Sequence, residues 1–498
     1  MIERLRIEGF KAIGTPGIDL ALAPITLLLG ENSVGKSSIF QSLLTIQQSW
    51  ATFEGIGTLS PVGSLVDLGR FSNLQHRMGD YVFQHVKIEI IEEGRGTVGF
   101  CWNAPEQPEV PDDLAAIVDA PNAWPGQWRL REATDRGSLK SLHIDEFTFL
   151  AEELSGIARV RLTLSSESVS HWLHRKPDPL VEAANQAGAR FHWWVEAGDS
   201  GFQSPYIELQ EGQSNVSSVA IDGLREQLQN TPNLEGSIWN EASRALQKLL
   251  RLRRQLRNSA HIGGIRERGR RLYEVAVSDG PCSVGASGER IVDLLTYDPE
   301  ALDRTNRLLG IAEIDYHVTV ENPPTQAQVR EILLEDLRPG RGQGNLVGLP
   351  DVGTGISQIL PFAVQIAFFG NSRRFDSDPL LLMEQPELHL HPLLQARLAR
   401  LMASAVTLEV DEDSDLPPSR PVQFLIETHS EHLVRALSVL IERKELPKEA
   451  VSIIKIVRNE DGEVIATRMR MDDDGRFLDS WPGGFFPERE KLLDGKIP

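Results

Sequence analysis

The clearest chemistry in the chain is carried by Gly30-Glu31-Asn32-Ser33-Val34-Gly35-Lys36-Ser37, with Ser38 opening the apolar stretch behind it. Two glycines followed by a lysine and a hydroxyl are the residue types that a phosphate-binding loop needs. The glycines let the backbone turn its N–H groups inward, and the helix that follows presents the positive end of its dipole to an anion. Lys36 is then placed to reach β- and γ-phosphates, and Ser37 to hold Mg²⁺.

A second constellation lies in the last third of the chain. Asp351-Val352-Gly353-Thr354-Gly355-Ile356-Ser357-Gln358 sets two glycines and a serine before an apolar helix, again a start that favours anions. Leu380-Leu381-Leu382-Met383-Glu384-Gln385-Pro386-Glu387 is an apolar strand ending in an acid, followed by Leu388-His389-Leu390-His391-Pro392. Val422-Gln423-Phe424-Leu425-Ile426 is a further strand, running into Glu427-Thr428-His429-Ser430. His389 and His391 stand two residues apart, do not share a face, and read as structural. Asp472-Asp473-Asp474-Gly475 reads as an acidic turn in preference to a metal site.

Periodicity predicts the elements that must hold these groups. Residues 5–7, 10–13 and 25–29 read as short strands punctuated by Gly14, Pro16, Gly17 and Pro24. A helix is expected from Gly35 to about Gln48, with Ile39, Leu43, Leu44 and Ile46 on its apolar face. Residues 82–83 and 86–90 return to strand alternation. Gln75, ahead of them, reads as a solvated polar residue, with a γ-phosphate sensor as the alternative. Residues 103–142, with Pro105, Pro108, Pro111, Pro121 and Pro125, have a loop composition, and 95–220 read as an insertion carrying strands near 160–164 and 191–195. Residues 238–257 have helical apolar spacing and open the one strongly basic stretch: Lys248, Arg251, Arg253, Arg254 and Arg257, then Arg266, Arg268, Arg270 and Arg271. Two readings of that stretch stand side by side, a solvated face paired with acids and a patch that binds nucleic acid or phosphate.

Composition bounds the rest. A chain of 498 residues exceeds one ordinary core, so two or three units are expected. Apolar residues at 41% and charged residues at 24% are ordinary for a soluble globular protein, and no run of about 18 apolar residues could span a bilayer. The strand-like opening lacks the apolar region of a signal peptide, so a cytoplasmic protein is expected. Cys101 and Cys282 read as reduced structural thiols. A net charge of -20 excludes a surface that is basic all over, leaving any nucleic-acid contact to a local patch.

With these segments in this order, the chain resembles the ABC-type ATPases of the SMC, Rad50, RecF and OLD kind. Within them it looks most like ATPases with a DUF3696 C-terminal region, through Glu384-Gln385-Pro386-Glu387-Leu388-His389-Leu390-His391-Pro392 and the ending Asp479-Ser480-Trp481-Pro482-Gly483-Gly484-Phe485-Phe486. The fold this implies is α/β: a P-loop NTPase of the ABC type, with a mixed sheet, an antiparallel β subdomain and an inserted helical or irregular region. The implied organisation is an ATPase part over 1–94, an insertion or arm over 95–340 holding the basic stretch 238–271, a second ATPase part over 341–470, and a tail over 471–498.

The resemblance also implies roles. ATP and Mg²⁺ are the expected ligands, Glu384 becomes the Walker B acid opposite Ser37, and His429 becomes the switch histidine at the γ-phosphate. Gly353, Gly355, Ser357 and Gln358 become the signature, which in this superfamily touches the nucleotide of the opposite subunit. One phosphate loop and one signature per chain imply a twofold head-to-tail homodimer. Gln385 departs from the pattern, because most of these enzymes have a glutamate there to deprotonate or orient water. An amide can orient water but cannot accept its proton, so slow hydrolysis is expected, with Glu387 or His429 taking part of the role.

The expectation is an ATP-dependent homodimeric switch that clamps or senses a macromolecule, nucleic acid through 248–271 being the candidate, and controls a separate effector. DNA maintenance and bacterial defence are the settings the resemblance implies. A scaffold with negligible turnover is the alternative. A Rad50-like repair ATPase is disfavoured by the lack of sustained heptads between the halves, and the stretch after His429 is too short for the Toprim nuclease of OLD proteins.

Overall fold

The computed structural model describes residues 1–51, 58–78, 81–83, 85–92, 96–103, 137–144, 147–151, 159–164, 190–198, 201–202, 207–210, 248–249, 251–275, 283–322, 329–340, 344–371, 375, 378–407 and 420–479. Cys282, the proline-rich 104–136, the first half of the basic helix and the ending 480–486 lie outside the described residues. The chain divides into two compact units, one formed by residues 1–3, 20–40 and 258–498 and the other by residues 4–19 and 41–257. Residues 258–340, read from sequence as part of an arm, fall in the unit that holds the phosphate loop.

The first unit is organised on a six-stranded sheet. Its order is Ala260–Ile262, Leu380–Glu384, Gln423–Glu427, Ile25–Leu29, Val451–Arg458 and Val464–Met469. The first five strands are parallel and the last is antiparallel. Ile25–Leu29 and Gln423–Glu427 are buried at every position, as the middle strands of a sheet covered on both faces must be. Their unbroken apolar runs follow from that burial. In an open parallel sheet, ligands sit beyond the carboxyl ends of the strands, so the order alone brings Leu29, Glu384 and Glu427 to one rim.

Helix Lys36–Ala51 leaves that rim directly after the phosphate loop, close to the expected bounds. Thr354–Phe369 is buried from Ile356 to Phe369, which makes it a core helix that carries three buried polar side chains, Ser357, Gln358 and Gln365. Pro392–Thr407 and Glu431–Glu442 pack nearby, the latter capped by Ser430, whose hydroxyl oxygen accepts from the Leu433 N–H at 2.9 Å. A small antiparallel sheet, with Tyr316–Glu321 beside Val329–Asp336, completes the unit. The acidic turn is structural: Asp472 accepts the N–H groups of Asp474 and Arg476, while Asp473 and Asp474 pair with Lys448 and Lys444.

The second unit is an antiparallel meander. It runs from His85–Glu92 through Gly96–Asn103, Gly137–Ile144, Phe147–Ala151 and Arg159–Leu164 to Arg190–Gly198. Residues 137–142, expected as loop, are strand because neighbours on both sides complete their backbone hydrogen bonds. Residues 10–13 are a turn and not a strand: the Ile13 N–H donates to the Phe10 carbonyl at 2.8 Å and Lys11 takes a φ of 51°. Gln75 is buried and donates to the Phe83 carbonyl at 2.7 Å, so it holds its own loop together. Cys101 is buried. No described helix is long and apolar enough to cross a membrane.

Candidate functional site

The phosphate loop leaves Ile25–Leu29 through Gly30, whose φ is 159°, and passes Ser33 at 62° and Gly35 at 118°. A Cβ on Gly30 would stand 2.3 Å from the Ile456 carbonyl oxygen on the next strand, so the loop's first residue admits no side chain. Val34 is buried and pins the loop, while Glu31, Asn32 and Ser33 are exposed. Ser38, behind Ser37, is buried in the first turn of the helix. The Lys36 ammonium lies within the cradle, donating to the carbonyls of Gly30 at 2.9 Å and Glu31 at 2.7 Å. Burial lowers its pKa, and Glu427, Glu387 and Glu31 oppose that shift.

The carboxylate facing this lysine is Glu427. Its Oε1 is 3.8 Å from Lys36 Nζ, and its Oε2 accepts from the Ser37 hydroxyl at 3.2 Å. Burial raises the Glu427 pKa; Lys36 works against it and Glu384 with it. The sequence reading left Glu427 without a role, although it shows the same signal as Glu384, an apolar strand that ends in an acid. The two acids are register partners on adjacent strands. Glu384 meets His261, with 3.1 Å between its Oε1 and His261 Nε2. His261 was also missed, because Ala260–Ile262 is a three-residue strand hidden in a basic stretch.

The turn at Thr428 and His429 is held by Glu387, which accepts from the Thr428 hydroxyl at 2.7 Å and the His429 N–H at 2.6 Å. His429 keeps an exposed edge, and the partial desolvation of its ring together with Lys36 lowers its pKa, against Glu387. Gln385 takes a φ of 41°, unusual for a residue with a side chain. A cleft of about 420 Å³ lies beside Glu384 and Gln385, lined also by Gly263, Gly264, Ser287 and Glu289. Of the histidines read as structural, His391 accepts the Leu393 N–H at its Nδ1.

The Gly353–Gln358 segment starts a helix of the same unit. Gly353 is its N-cap and exposed, and Gly355 is half-buried. Ser357 and Gln358 turn inward: the Ser357 hydroxyl donates to the Thr354 carbonyl at 2.8 Å, and the Gln358 amide donates to the Glu267 carbonyl at 3.3 Å.

The basic stretch is divided between the two units. Arg266 is buried, donates to the carbonyls of Gly263, Pro386 and Leu388, and lies 4.8 Å from the centre of the Phe362 ring; burial pushes its pKa down to about 10. Arg271 pairs with both oxygens of Asp351, and Arg270 pairs with Glu267. In the other unit, Arg253 is half-buried and donates to the Trp50 carbonyl at 3.2 Å, while Arg251 and Arg257 are exposed.

A parallel sheet whose central strand runs into a glycine loop with an enclosed lysine and then a helix, with acid-tipped strands beside it, has the architecture of a P-loop NTPase. Residues 289–435 match the family described as "AAA domain, putative AbiEii toxin, Type IV TA system". No curated protein matches the chain. Among solved structures, an SMC head bound to the C-terminal winged-helix domain of ScpA is similar over 95% of this chain and 98% of its own, at 13% identity and a TM-score of 0.36. The SMC head domain of Thermotoga maritima is similar over 94% and 99% at 10% identity and a TM-score of 0.36, and an SMC head with an extended coiled coil from Pyrococcus furiosus over 99% and 98% at 13% and 0.37. Likenesses this loose say nothing of what this chain binds.

Proposed function

We propose that the chain is an ATP-binding switch that hydrolyses slowly, works as a twofold head-to-tail homodimer and controls a separate effector in DNA maintenance or defence against phage. The observation that carries the reading is the convergence of Lys36, Ser37, Glu427 and the His429 turn at the carboxyl ends of neighbouring strands. A buried cation inside a ring of backbone groups at a helix start is built for a polyphosphate.

The oxygen-only donors, the Ser37 hydroxyl with Glu427 and Glu384 on the next two strands, suit Mg²⁺. That ion is usually held by one or two carboxylates and completes its shell with phosphate and water. Among the described residues no group of three or more His, Cys, Asp or Glu side chains could hold a metal by itself, which fits an ion that arrives with its nucleotide. When bound, Mg²⁺ supplies charge neutralisation at the phosphates. Lys36 binds the β- and γ-phosphates, His429 donates to or positions the terminal one, and Gln385 orients water without taking its proton.

Gln385 favours the second reading, a scaffold with negligible turnover. Steady-state hydrolysis of ATP, with and without duplex DNA or RNA, separates the two. A switch shows slow turnover that nucleic acid changes, and a scaffold shows binding without turnover. Arg251, Arg254 and Arg257 are exposed candidates for phosphate contacts; neutralising all three should flatten the log–log salt dependence of duplex binding by up to about 3 units. No duplex or RNA binding at about 50 mM salt removes the nucleic-acid part of the proposal.

A further inference from the structure

We propose that Glu427 is the positioning carboxylate of the Mg²⁺ site, orienting the Ser37 hydroxyl toward the metal and making nucleotide entry depend on Mg²⁺. This rests on the ATP-site reading above and assigns a role that the motif places on Glu384.

Three observations carry it. Glu427 ends the strand that lies between the phosphate-loop strand and the Glu384 strand, so it is the acid next to the loop. Its Oε2 accepts a hydrogen bond from the Ser37 hydroxyl at 3.2 Å, whereas Glu384 is engaged with His261 at 3.1 Å. A hydroxyl has a single proton, and once that proton is given to a carboxylate both lone pairs of the oxygen are free to face a cation. Glu427 is also buried, at 7% exposure, so it stays beside Ser37.

The dependence on Mg²⁺ follows from charge. Glu427, Glu387 and Glu31 act on the one ammonium of Lys36. A bare triphosphate would bring further negative charge to a buried carboxylate with that single cation between them. With Mg²⁺, the Ser37–Glu427 pair becomes an asset, because the carboxylate strengthens the hydroxyl as a ligand.

The test measures ATP binding to the full chain by calorimetry, once in MgCl₂ and once in EDTA, and titrates Mg²⁺ at fixed ATP. The parent should bind about 10-fold or more weakly in EDTA, and Glu427→Gln should need about 10–100-fold more Mg²⁺ for half-maximal binding. The variant should also bind ATP in EDTA more tightly than the parent does, so that its ratio of the two affinities collapses. A destabilised protein would lose affinity in both conditions, and Glu427→Asp, which keeps a carboxylate, should recover part of the Mg²⁺ dependence. If Glu427→Gln keeps the parent's ratio and Mg²⁺ midpoint while Glu384→Gln loses them, Glu384 holds the role and the proposal is overturned. A parent that binds ATP in neither condition would overturn the ATP-site reading itself.

Discussion

Residues 30–37 and 353–358 use the same residue types, two glycines and a serine at the start of a helix, and the fold treats them differently. In the first, Gly30 and Gly35 take backbone angles that suit glycine, the loop wraps back on itself, and a lysine fills the ring. In the second, Gly353 has an ordinary φ of −56°, nothing lies within 4 Å of where its Cβ would be, and Ser357 bonds to its own helix. Residues 30–37 therefore enclose a buried cation within one chain. The signature segment presents an exposed helix start with no cation built into it. Composition alone does not make a phosphate site; the wrapped backbone and the buried charge do.

Breaking the cradle gives the largest effect. Lys36→Ala should abolish measurable ATP binding by calorimetry, since it removes the cation that the loop encloses. Because Lys36 also faces Glu427, a thermal melt accompanies the measurement, and unchanged affinity in the folded variant would sink the phosphate-loop assignment. Next in size is Gln385→Glu. If the missing proton acceptor limits chemistry, turnover should rise by about 10²–10⁴-fold; an unchanged rate places the slow step after chemistry, in dimer opening or product release.

A matched pair of substitutions sharpens the contrast between the segments. Gly30→Ala drives a methyl into the Ile456 carbonyl and should cost about 1–3 kcal/mol in urea unfolding. Gly353→Ala meets open space and should cost at most about 1 kcal/mol, the loss of a preferred N-cap residue. Equal costs at the two positions would mean that the segments are not built as described.

Much of this was legible from residues 25–51, because a buried parallel strand, a glycine-bracketed loop and an apolar-faced helix each leave a local pattern. The sheet order was not legible, since it depends on pairing between residues hundreds of positions apart. That is why Glu427 escaped notice: its strand signal was plain, but its place beside Lys36 is a product of topology. The fates of the arginines were hidden for the converse reason. Arg266 and Arg271 look like a basic run in sequence, yet folding sends one into the core over Phe362 and the other onto Asp351. Charge patterning reports neither burial nor partners.

In the proposed homodimer, the exposed helix start at Gly353 of one chain closes over the nucleotide held by residues 30–37 of the other. Sedimentation of the full chain with and without ATP and Mg²⁺ tests this directly, using Gly353→Ala as the partner measurement. ATP with Mg²⁺ should drive the parent to a dimer, while Gly353→Ala should bind ATP as the parent does and fail to associate. A parent whose mass stays that of the monomer when saturated with ATP and Mg²⁺, or a Gly353→Ala variant that dimerises as readily as the parent, would contradict it.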